Sequence, residues 1–218
     1  EKNTVAVLYS IENQSGKSCK LNIRPFLKFV PRENIIEEEK KFTYDNGVIT
    51  SDGYTLYVRS DAELKEITPV WQNLAYPEDA KDGRPEKGMT GAVCHAVQTV
   101  ASGETVKFEI SFSLDSKKVS GERLVKLHNA RCKNLLKAAG LKDPMARQLV
   151  LAADAYIARR DSTNGKTILA GYPLFSDWGR DTMISLPGCC LSTGRFEDAK
   201  SILRTFLAYE RGGLVPNL

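Results

Sequence analysis

Residues 105–136, TVKFEISFSLDSKKVSGERLVKLHNARCKNLL, contain the change of period that decides the fold. In the first part, apolar side chains occupy every second position: Val106, Phe108, Ile110, Phe112 and Leu114. The positions between them are polar: Lys107, Glu109, Ser111 and Ser113. Because side chains alternate across a strand, this pattern predicts a β-strand with one buried and one wet face. From about Val119 the apolar spacing becomes helical, so we expect β structure first and helices afterwards.

The period of two extends back through the residues before this strand. Val5, Val7, Tyr9 and Ile11 alternate with smaller or polar residues, and another alternating run follows the turn dipeptide Asp52-Gly53. Ser102-Gly103 is interpreted as a hairpin turn that joins the strand around 92–100 to the strand at 106–114. Many half-buried strands without intervening helices predict an antiparallel sheet, most simply a β-sandwich.

Three of the helical segments predicted after Val119 have clear apolar stripes. Leu124, Leu127, Leu135 and Leu136 mark the first, and Asp143-Pro144 is a typical start for the second, with Asp as N-cap and Pro in the first helical position. The predicted apolar stripe of the second helix is Met145, Leu149, Ala153, Tyr156 and Ile157. The inward face predicted for the helix after Gly194 is Phe196, Ala199, Ile202, Leu203, Phe206 and Tyr209.

Composition excludes several classes of protein. The 218 residues carry a formal net charge of +4 with no basic block, which argues against a nucleic-acid partner. No apolar run approaches the ~20 residues of a membrane-spanning helix, and no signal peptide is recognisable. Five unpatterned cysteines and two histidines favour free thiols over disulfides or a metal site, and a cytoplasmic location. Because residue 1 is Glu and the last residues resemble a loop, we expect a fragment of a longer protein.

The most informative stretch is residues 170–182, AGYPLFSDWGRDT, which places Asp177, Arg180 and Asp181 around Trp178 before an apolar helix expected from Met183 to Ser192. These residue types suit a sugar. An aromatic ring covers the apolar face of a pyranose, a carboxylate accepts from adjacent hydroxyls, and a guanidinium donates in a fixed fork.

A purely structural interpretation of this stretch remains open from spacing alone. Asp181 is then the N-cap of a helix that begins at Thr182, and Arg180 is its surface ion-pair partner. In this interpretation Trp178 and Phe175 are core residues. Pro187-Gly188 inside the following apolar run is expected to kink that helix.

The block from Gly171 to Ile184 resembles the glycogen debranching enzyme family, and most closely the amylo-alpha-1,6-glucosidase region of the bacterial type. The resemblance continues through Leu186-Pro187-Gly188, Thr193-Gly194-Arg195-Phe196, Ile202-Leu203-Arg204-Thr205-Phe206 and Pro216-Asn217. A weaker similarity lies at residues 71–78, WQNLAYPE, and resembles the N-terminal domain of the same proteins. Where the family usually has Trp, this sequence has Leu174.

The resemblance implies an α+β architecture in three parts. These are an antiparallel β-sandwich over residues 1–115, incomplete at its N-terminus, a linker helix over 116–142, and the first helices of an (α/α)6 barrel over 143–218. It also implies removal of single α-1,6-linked glucose from branch stubs of glycogen or limit dextrin, by an inverting mechanism. Carried over, Arg180 and Asp181 bind the glucose at the −1 subsite, and Trp178 shapes its wall.

The catalytic residues are expected outside this chain. Inverting hydrolysis needs an acid and a base about 6.5–9.5 Å apart. Asp177 and Asp181 are rejected as that pair because their spacing of four puts them too close together to bracket a sugar. The family implies an acid and a base beyond residue 218, so the chain alone is expected to be inactive. Acid–base hydrolysis implies no cofactor.

Two other functions remain as alternatives. A sugar phosphorylase shares the sandwich-plus-barrel layout, but it needs a phosphate site of Lys, Ser or Gly that residues 170–182 do not show. A non-catalytic glycan-binding module would carry a row of exposed aromatic residues on one sheet face, and Tyr54, Tyr57 and Tyr76 do not make a convincing row.

Overall fold

The computed structural model describes residues 3–30, 34–171 and 175–217, which fall into two compact units, 1–125 and 126–218. The chain mixes helices with antiparallel sheets, which confirms the predicted α+β class. No helix within the described residues is long and apolar enough to cross a membrane.

The first unit contains two antiparallel sheets and one short helix, α1 (Pro77–Lys81). Its strands are β1 (Thr4–Glu12), β2 (Cys19–Ile23), β3 (Thr43–Asp45), β4 (Val48–Ser51), β5 (Tyr54–Ser60), β6 (Glu63–Ala75), β7 (Lys87–Val100) and β8 (Thr105–Ser113). One sheet has the order β1-β8-β5-β4-β3 and the other the order β2-β7-β6. Asp52 and Gly53, both with positive φ, form the tight turn between β4 and β5 that their dipeptide predicts.

The predicted hairpin at Ser102-Gly103 is wrong. A turn is present there, with Gly103 at φ 74°, but β7 and β8 are not paired because they belong to different sheets. Strand β8 lies between β1 and β5, whereas β7 lies between β2 and β6. The turn therefore carries the chain from one sheet to the other.

Side chains from both sheets meet in one core. Phe108 and Ile110 of β8 pack with Val93 and Cys94 of β7, and Ile36, from the segment before β3, is 1% exposed among them. Burial raises the pKa of the Cys94 thiol to about 11, so this cysteine stays protonated and packs as a small apolar group.

The second face of β8 is buried, although the sequence predicts a wet face. Glu109, Ser111 and Ser113 are all under 8% exposed. Glu109 is engaged there by the start of the next helix, because the Gly121 N–H donates to Glu109 Oε2 at 2.6 Å. At the sheet edge the prediction fails in the other direction. Val5 and Val7 of β1 belong to the face predicted to be buried, but both are exposed.

The helices of the second unit are α2 (Gly121–Ala139), which begins in the first unit, α3 (Pro144–Asp154), α4 (Gly179–Leu186) and α5 (Phe196–Leu207). Asp143 caps α3 as predicted, with Oδ1 accepting from the Ala146 N–H at 2.9 Å. The helix ends earlier than its predicted apolar stripe. Tyr156 lies outside it, and Ile157 begins the hairpin of β9 (Ile157–Arg160) and β10 (Gly165–Ile168).

Helix α4 begins at Gly179, earlier than predicted, and ends before Pro187. One π turn (Pro187–Leu191) continues it, so the helical hydrogen-bond pattern changes at the proline. Of the inward face predicted for α5, Ala199, Ile202 and Phe206 are buried with Ile168 and Leu186. The prediction fails for three residues that are at least 39% exposed: Phe196, Leu203 and Tyr209.

Candidate functional site

The candidate site lies where the chain enters α4. Trp178 is the helix N-cap, with extended backbone angles and no capping bond from its side chain. Asp181 is therefore in the first turn of a helix that begins at Gly179, and the interpretation of Asp181 as the N-cap is wrong. Leu174, the position where the family usually has Trp, lies outside the described residues.

Asp177 is held by the protein itself. Its Oδ2 accepts from Arg160 Nη1 at 2.5 Å and from Thr167 Oγ1 at 2.8 Å. The Arg160 guanidinium in turn lies 5.0 Å from the Tyr209 ring centre and 6.0 Å from that of Phe206. The β9–β10 hairpin and α5 thus fix the residue that precedes Trp178. Asp177 has a positioning role in this arrangement, with its Oδ2 atom already hydrogen-bonded within the protein.

Asp181, unlike Asp177, has a buried carboxylate oxygen that no described residue hydrogen-bonds. Its Oδ2 atom is buried and has no hydrogen-bond partner in the described part of the chain. A buried acceptor without a donor costs about 1–3 kcal/mol, more when it is charged. The helix dipole favours a carboxylate in this first turn but supplies no hydrogen bond to that oxygen. The atom therefore keeps unused capacity to accept a hydrogen bond.

Arg180 is exposed and makes no ion pair with any residue that the structure describes, so the suggested surface pair with Asp181 is not formed. Its backbone N–H donates to Asn217 Oδ1 at 2.9 Å, and the Gly179 N–H donates to the Asn217 carbonyl at 2.9 Å. The guanidinium remains free to contact a ligand, while Asn217 satisfies the first two amide donors of α4.

The approach of residues 216–217 explains the glycine at 179. A Cβ atom at this position would lie 2.3 Å from the Pro216 carbonyl oxygen, so any side chain would push the C-terminal segment away. The pairing of α4 with Asn217 could not be predicted from spacing, because 37 residues separate Arg180 from its partner.

An aromatic pair stands beside these charged residues. The rings of Trp178 and Phe175 meet edge to face with their centres 6.3 Å apart. Trp178 is half-buried and Phe175 is 55% exposed, so neither is an ordinary core residue. Their exposed surface can take the apolar face of a pyranose, next to the carboxylate and guanidinium that would bind its hydroxyls.

A second group of charges, which sequence reasoning missed, lies beneath α5. The Arg195 side chain is only 6% exposed, and its guanidinium contacts Asp154 Oδ1 and Asp198 Oδ2, both at 2.6 Å. Arg131 also binds Asp154, and Lys166 binds Asp198. Burial by itself would raise the pKa of both carboxyls, but hydrogen bonds from these cations outweigh burial and hold both pKa values below the usual range. The sequence feature that could have pointed to this group is Arg195, which stands within the stretch Thr193-Gly194-Arg195-Phe196.

Other ligand types find less support. Within residues 3–30, 34–171 and 175–217, no three His, Cys, Asp or Glu side chains lie together as metal ligands. Tyr54 and Tyr57 both belong to β5, but an odd spacing puts them on opposite faces, and Tyr76 follows β6 in the other sheet. These tyrosines do not form the row that a glycan-binding sheet would need.

Comparison with known proteins places this segment in a family context. A family model described as amylo-alpha-1,6-glucosidase matches residues 151–218. The glycogen debranching enzyme of Saccharomyces cerevisiae (strain ATCC 204508 / S288c) is 45% identical over 60 residues, covering 25% of this chain and 4% of that protein. No solved structure gives a significant match. The resemblance read from the sequence is therefore confirmed: residues 151–218 are similar to the amylo-alpha-1,6-glucosidase family model and to a glycogen debranching enzyme, of which the chain spans only a small part.

Proposed function

We propose that this chain is part of a debranching enzyme that hydrolyses α-1,6-linked glucose at the branch stubs of glycogen or limit dextrin. In this proposal the two sheets of the first unit form a β-sandwich, and the helices from 143 onward open an (α/α)6 barrel. The acid and the base of the inverting reaction come from residues beyond 218. An enzyme of this kind would act in the cytoplasm, as the free cysteines suggest.

Arg180 and Asp181 bind the terminal glucose in this proposal, and Trp178 forms a wall of its subsite. The observation that carries the assignment is the buried Oδ2 of Asp181, which lacks a donor among the described residues. A sugar hydroxyl would supply that donor in a charge-assisted hydrogen bond. Arg180, whose guanidinium is unpaired in the same part of the chain, would donate to a neighbouring hydroxyl.

These residues bind and orient the sugar, but they do not transfer protons. Oδ2 of Asp177 is held by Arg160 and Thr167, which favours a positioning role for this carboxylate over activation of a water molecule on the far side of the ring. Inverting hydrolysis requires two carboxyl groups about 6.5–9.5 Å apart with room for that water. The contribution of this segment to the rate is therefore positioning of the glucose, and no cofactor is needed.

The test is Asp181→Asn in the enzyme that carries this segment together with its acid and base. Asn keeps the size of the side chain and removes the charge. We expect kcat/KM on a limit dextrin to fall on the order of 100-fold, because the contact strengthens in the transition state. The melting temperature should hardly move. Asp143→Asn is the matched control, since this carboxylate only caps α3 and Asn caps equally well.

Arg180→Lys provides the second measurement, because a point charge cannot replace the planar fork of the guanidinium. We expect a lowered kcat/KM with unchanged stability. The proposal fails if both variants keep wild-type kinetics. A melting temperature lowered without any kinetic change would mean that Asp181 serves only the helix dipole, an effect worth about 1 kcal/mol or less.

A further inference from the structure

A surface cavity of about 550 Å³ lies between the β9–β10 connection and α5, within the second unit. Its volume is in the range of small-molecule pockets, about 300–1,000 Å³. Its lining is unusual for such a pocket, because hydroxyl groups and one guanidinium predominate over apolar side chains. The hydroxyl-bearing and cationic lining residues are Ser162, Thr163, Ser201, Arg204, Thr205 and Tyr209.

The cavity wall is built from closely packed parts. A Cβ atom at Gly165 would lie 2.5 Å from Thr205 Oγ1, so only glycine allows this approach of the hairpin to α5. Asn164 precedes it in a left-handed conformation with φ 49°, which turns the chain into β10. Arg160 is held against the Tyr209 ring and anchors one side. The cavity therefore exists before any ligand binds.

The hydrogen bonds around the cavity leave hydroxyl protons without an acceptor. Ser162 Oγ already accepts from Arg160 Nε at 3.1 Å and from the Tyr209 hydroxyl at 3.0 Å. Ser201 Oγ accepts from the Lys166 N–H at 3.1 Å. Neither serine donates to an acceptor in the described part of the chain. Since each hydroxyl carries one proton, both protons remain available to a ligand.

The two threonines add a third proton. Thr163 and Thr205 share one hydrogen bond of 3.1 Å, so one of their two hydroxyl protons is used and the other is not. The cavity thus offers the hydroxyl protons of Ser162 and Ser201, and that of Thr163 when the buried Thr205 is the donor of their shared bond. Both lone pairs of the Ser162 hydroxyl are in use, whereas Ser201 and the threonines keep lone pairs that can accept.

The charge of the cavity favours an anionic ligand. Arg204 is exposed at the cavity and forms no ion pair with a described residue. The acidic side chains nearby in the chain have other partners: Lys200 chiefly lowers the pKa of Glu197, to which the Arg204 charge adds a smaller effect, and Glu210 accepts from the Gly213 N–H. Asp161 pairs with Arg159, Asp198 pairs with Lys166 and Arg195, and Glu197 pairs with Lys200. A guanidinium without a carboxylate partner is suited to an oxyanion.

We propose that this cavity binds a phosphate group, free or carried on a hexose, as a site separate from the Arg180–Asp181 subsite. A phosphate oxygen only accepts hydrogen bonds, so it fits the free hydroxyl protons and the guanidinium of Arg204. A neutral glucan can also use these hydroxyls, but it leaves the charge of Arg204 without a counter-ion. This inference does not depend on the proposed function, since none of its residues binds the terminal glucose there.

The experiment is an NMR titration of the ¹⁵N-labelled 218-residue chain at constant ionic strength. Three probes are compared: inorganic phosphate, glucose 6-phosphate and maltose. We expect saturable shifts of the amides around 162–165 and 201–205 with one or both phosphates and none with maltose. The ratio of the two phosphate affinities identifies the source: a tighter hexose phosphate means that the sugar also contacts the cavity.

Arg204→Gln separates this site from general attraction of anions to a basic chain. We expect it to weaken phosphate binding at least about 10-fold, the loss of one charge-assisted contact. Arg147→Gln is the matched control, because Arg147 is an exposed arginine on α3 away from the cavity, and it should leave the affinity unchanged. Circular dichroism of both variants verifies that they fold.

Three results overturn the proposal. One is the absence of saturable shifts with either phosphate in the wild-type chain. Another is an equal loss of affinity in the Arg204 and Arg147 variants, which would indicate attraction by net charge. The third is tighter binding of maltose than of phosphate, which would make the cavity a site for neutral sugar. If Arg204→Gln does not fold, Ser201→Ala replaces it, with the same expected weakening and the same criteria.

Discussion

Two groups of charged residues in the second unit differ in whether their charges have partners within the protein. Around Arg195, each cation and carboxylate has a partner of opposite sign, and the guanidinium is nearly buried. In the first turn of α4, Asp181 has a buried oxygen without a donor, and Arg180 has no carboxylate, within the described residues. Both regions lie in the segment that matches the family model.

Asp177 and Asp181 show the difference at short range. They are four residues apart, yet Asp177 accepts two hydrogen bonds from the protein while Oδ2 of Asp181 accepts none within the described chain. A paired charge stabilises the fold, since removing one member leaves the other unsatisfied. A buried acceptor without a donor does not stabilise the fold and keeps its capacity to accept a hydrogen bond. Substitutions in the two regions should therefore separate stability from binding, and the following three predictions test this on the stability side.

The largest effect is expected from Arg195→Ala. This substitution removes the buried cation between Asp154 and Asp198 and leaves each carboxylate with a single partner. We expect a loss of about 3 kcal/mol in the free energy of unfolding, measured by urea denaturation. Arg147→Ala, an exposed change on α3, should stay within about 0.5 kcal/mol. Similar losses from the two variants would contradict a structural role for the buried group.

A smaller effect is expected from Asp177→Asn. The amide oxygen can still accept from Thr167, but the charged contact with Arg160 is lost, so we expect a cost of about 1–2 kcal/mol. Arg160→Gln removes the same contact from the other side. In a double-mutant cycle, the two losses should therefore not add. Additive losses would show that Arg160 and Asp177 stabilise the chain independently, and the comparison with Asp181 would lose its basis.

The smallest effect concerns acid. The pKa values of Asp154 and Asp198 are lowered in the folded chain, so the unfolded chain binds more protons in that range. Their contribution to stability is present above about pH 4 and is lost as the pH falls through the folded pKa values. Urea denaturation at pH 7, 5 and 3 measures it. The stability gap between wild type and Asp154→Asn/Asp198→Asn should shrink towards pH 3. A constant gap would mean that these carboxylates do not titrate as stated.

The fold class and several turns could be predicted from the sequence because their signals are local. The change of period after Leu114 separates sheet from helix, and Asp52-Gly53 forms its predicted turn because both residues accept positive φ. The pairing of β8 could not be predicted. A strand pattern states which residues alternate, but neighbouring strands decide which sheet the strand joins, and β8 pairs with β1 and β5 instead of β7.

The candidate site also has features that could be predicted from the sequence and features that could not. Arg180 and Asp181 stand out in the sequence because charged residues beside a tryptophan are unusual before an apolar helix, and the family resemblance adds weight. Which hydrogen-bond partners these residues have could not be predicted from their spacing in the sequence. Asn217, 37 residues from Arg180, accepts hydrogen bonds from the first amide groups of α4. Arg160 of the β9–β10 hairpin donates to Asp177 but not to Asp181.

The sequence by itself therefore determined the α+β class, the helix start at Asp143-Pro144 and the family of the C-terminal segment, since these depend on neighbours along the chain. Only the tertiary structure decided that Glu109 is buried at the start of α2, that Arg195 is enclosed by two carboxylates, and that one oxygen of Asp181 lacks a donor. The physical reason is that burial and hydrogen-bond partners arise from residues brought together across long stretches of chain, which no local pattern records.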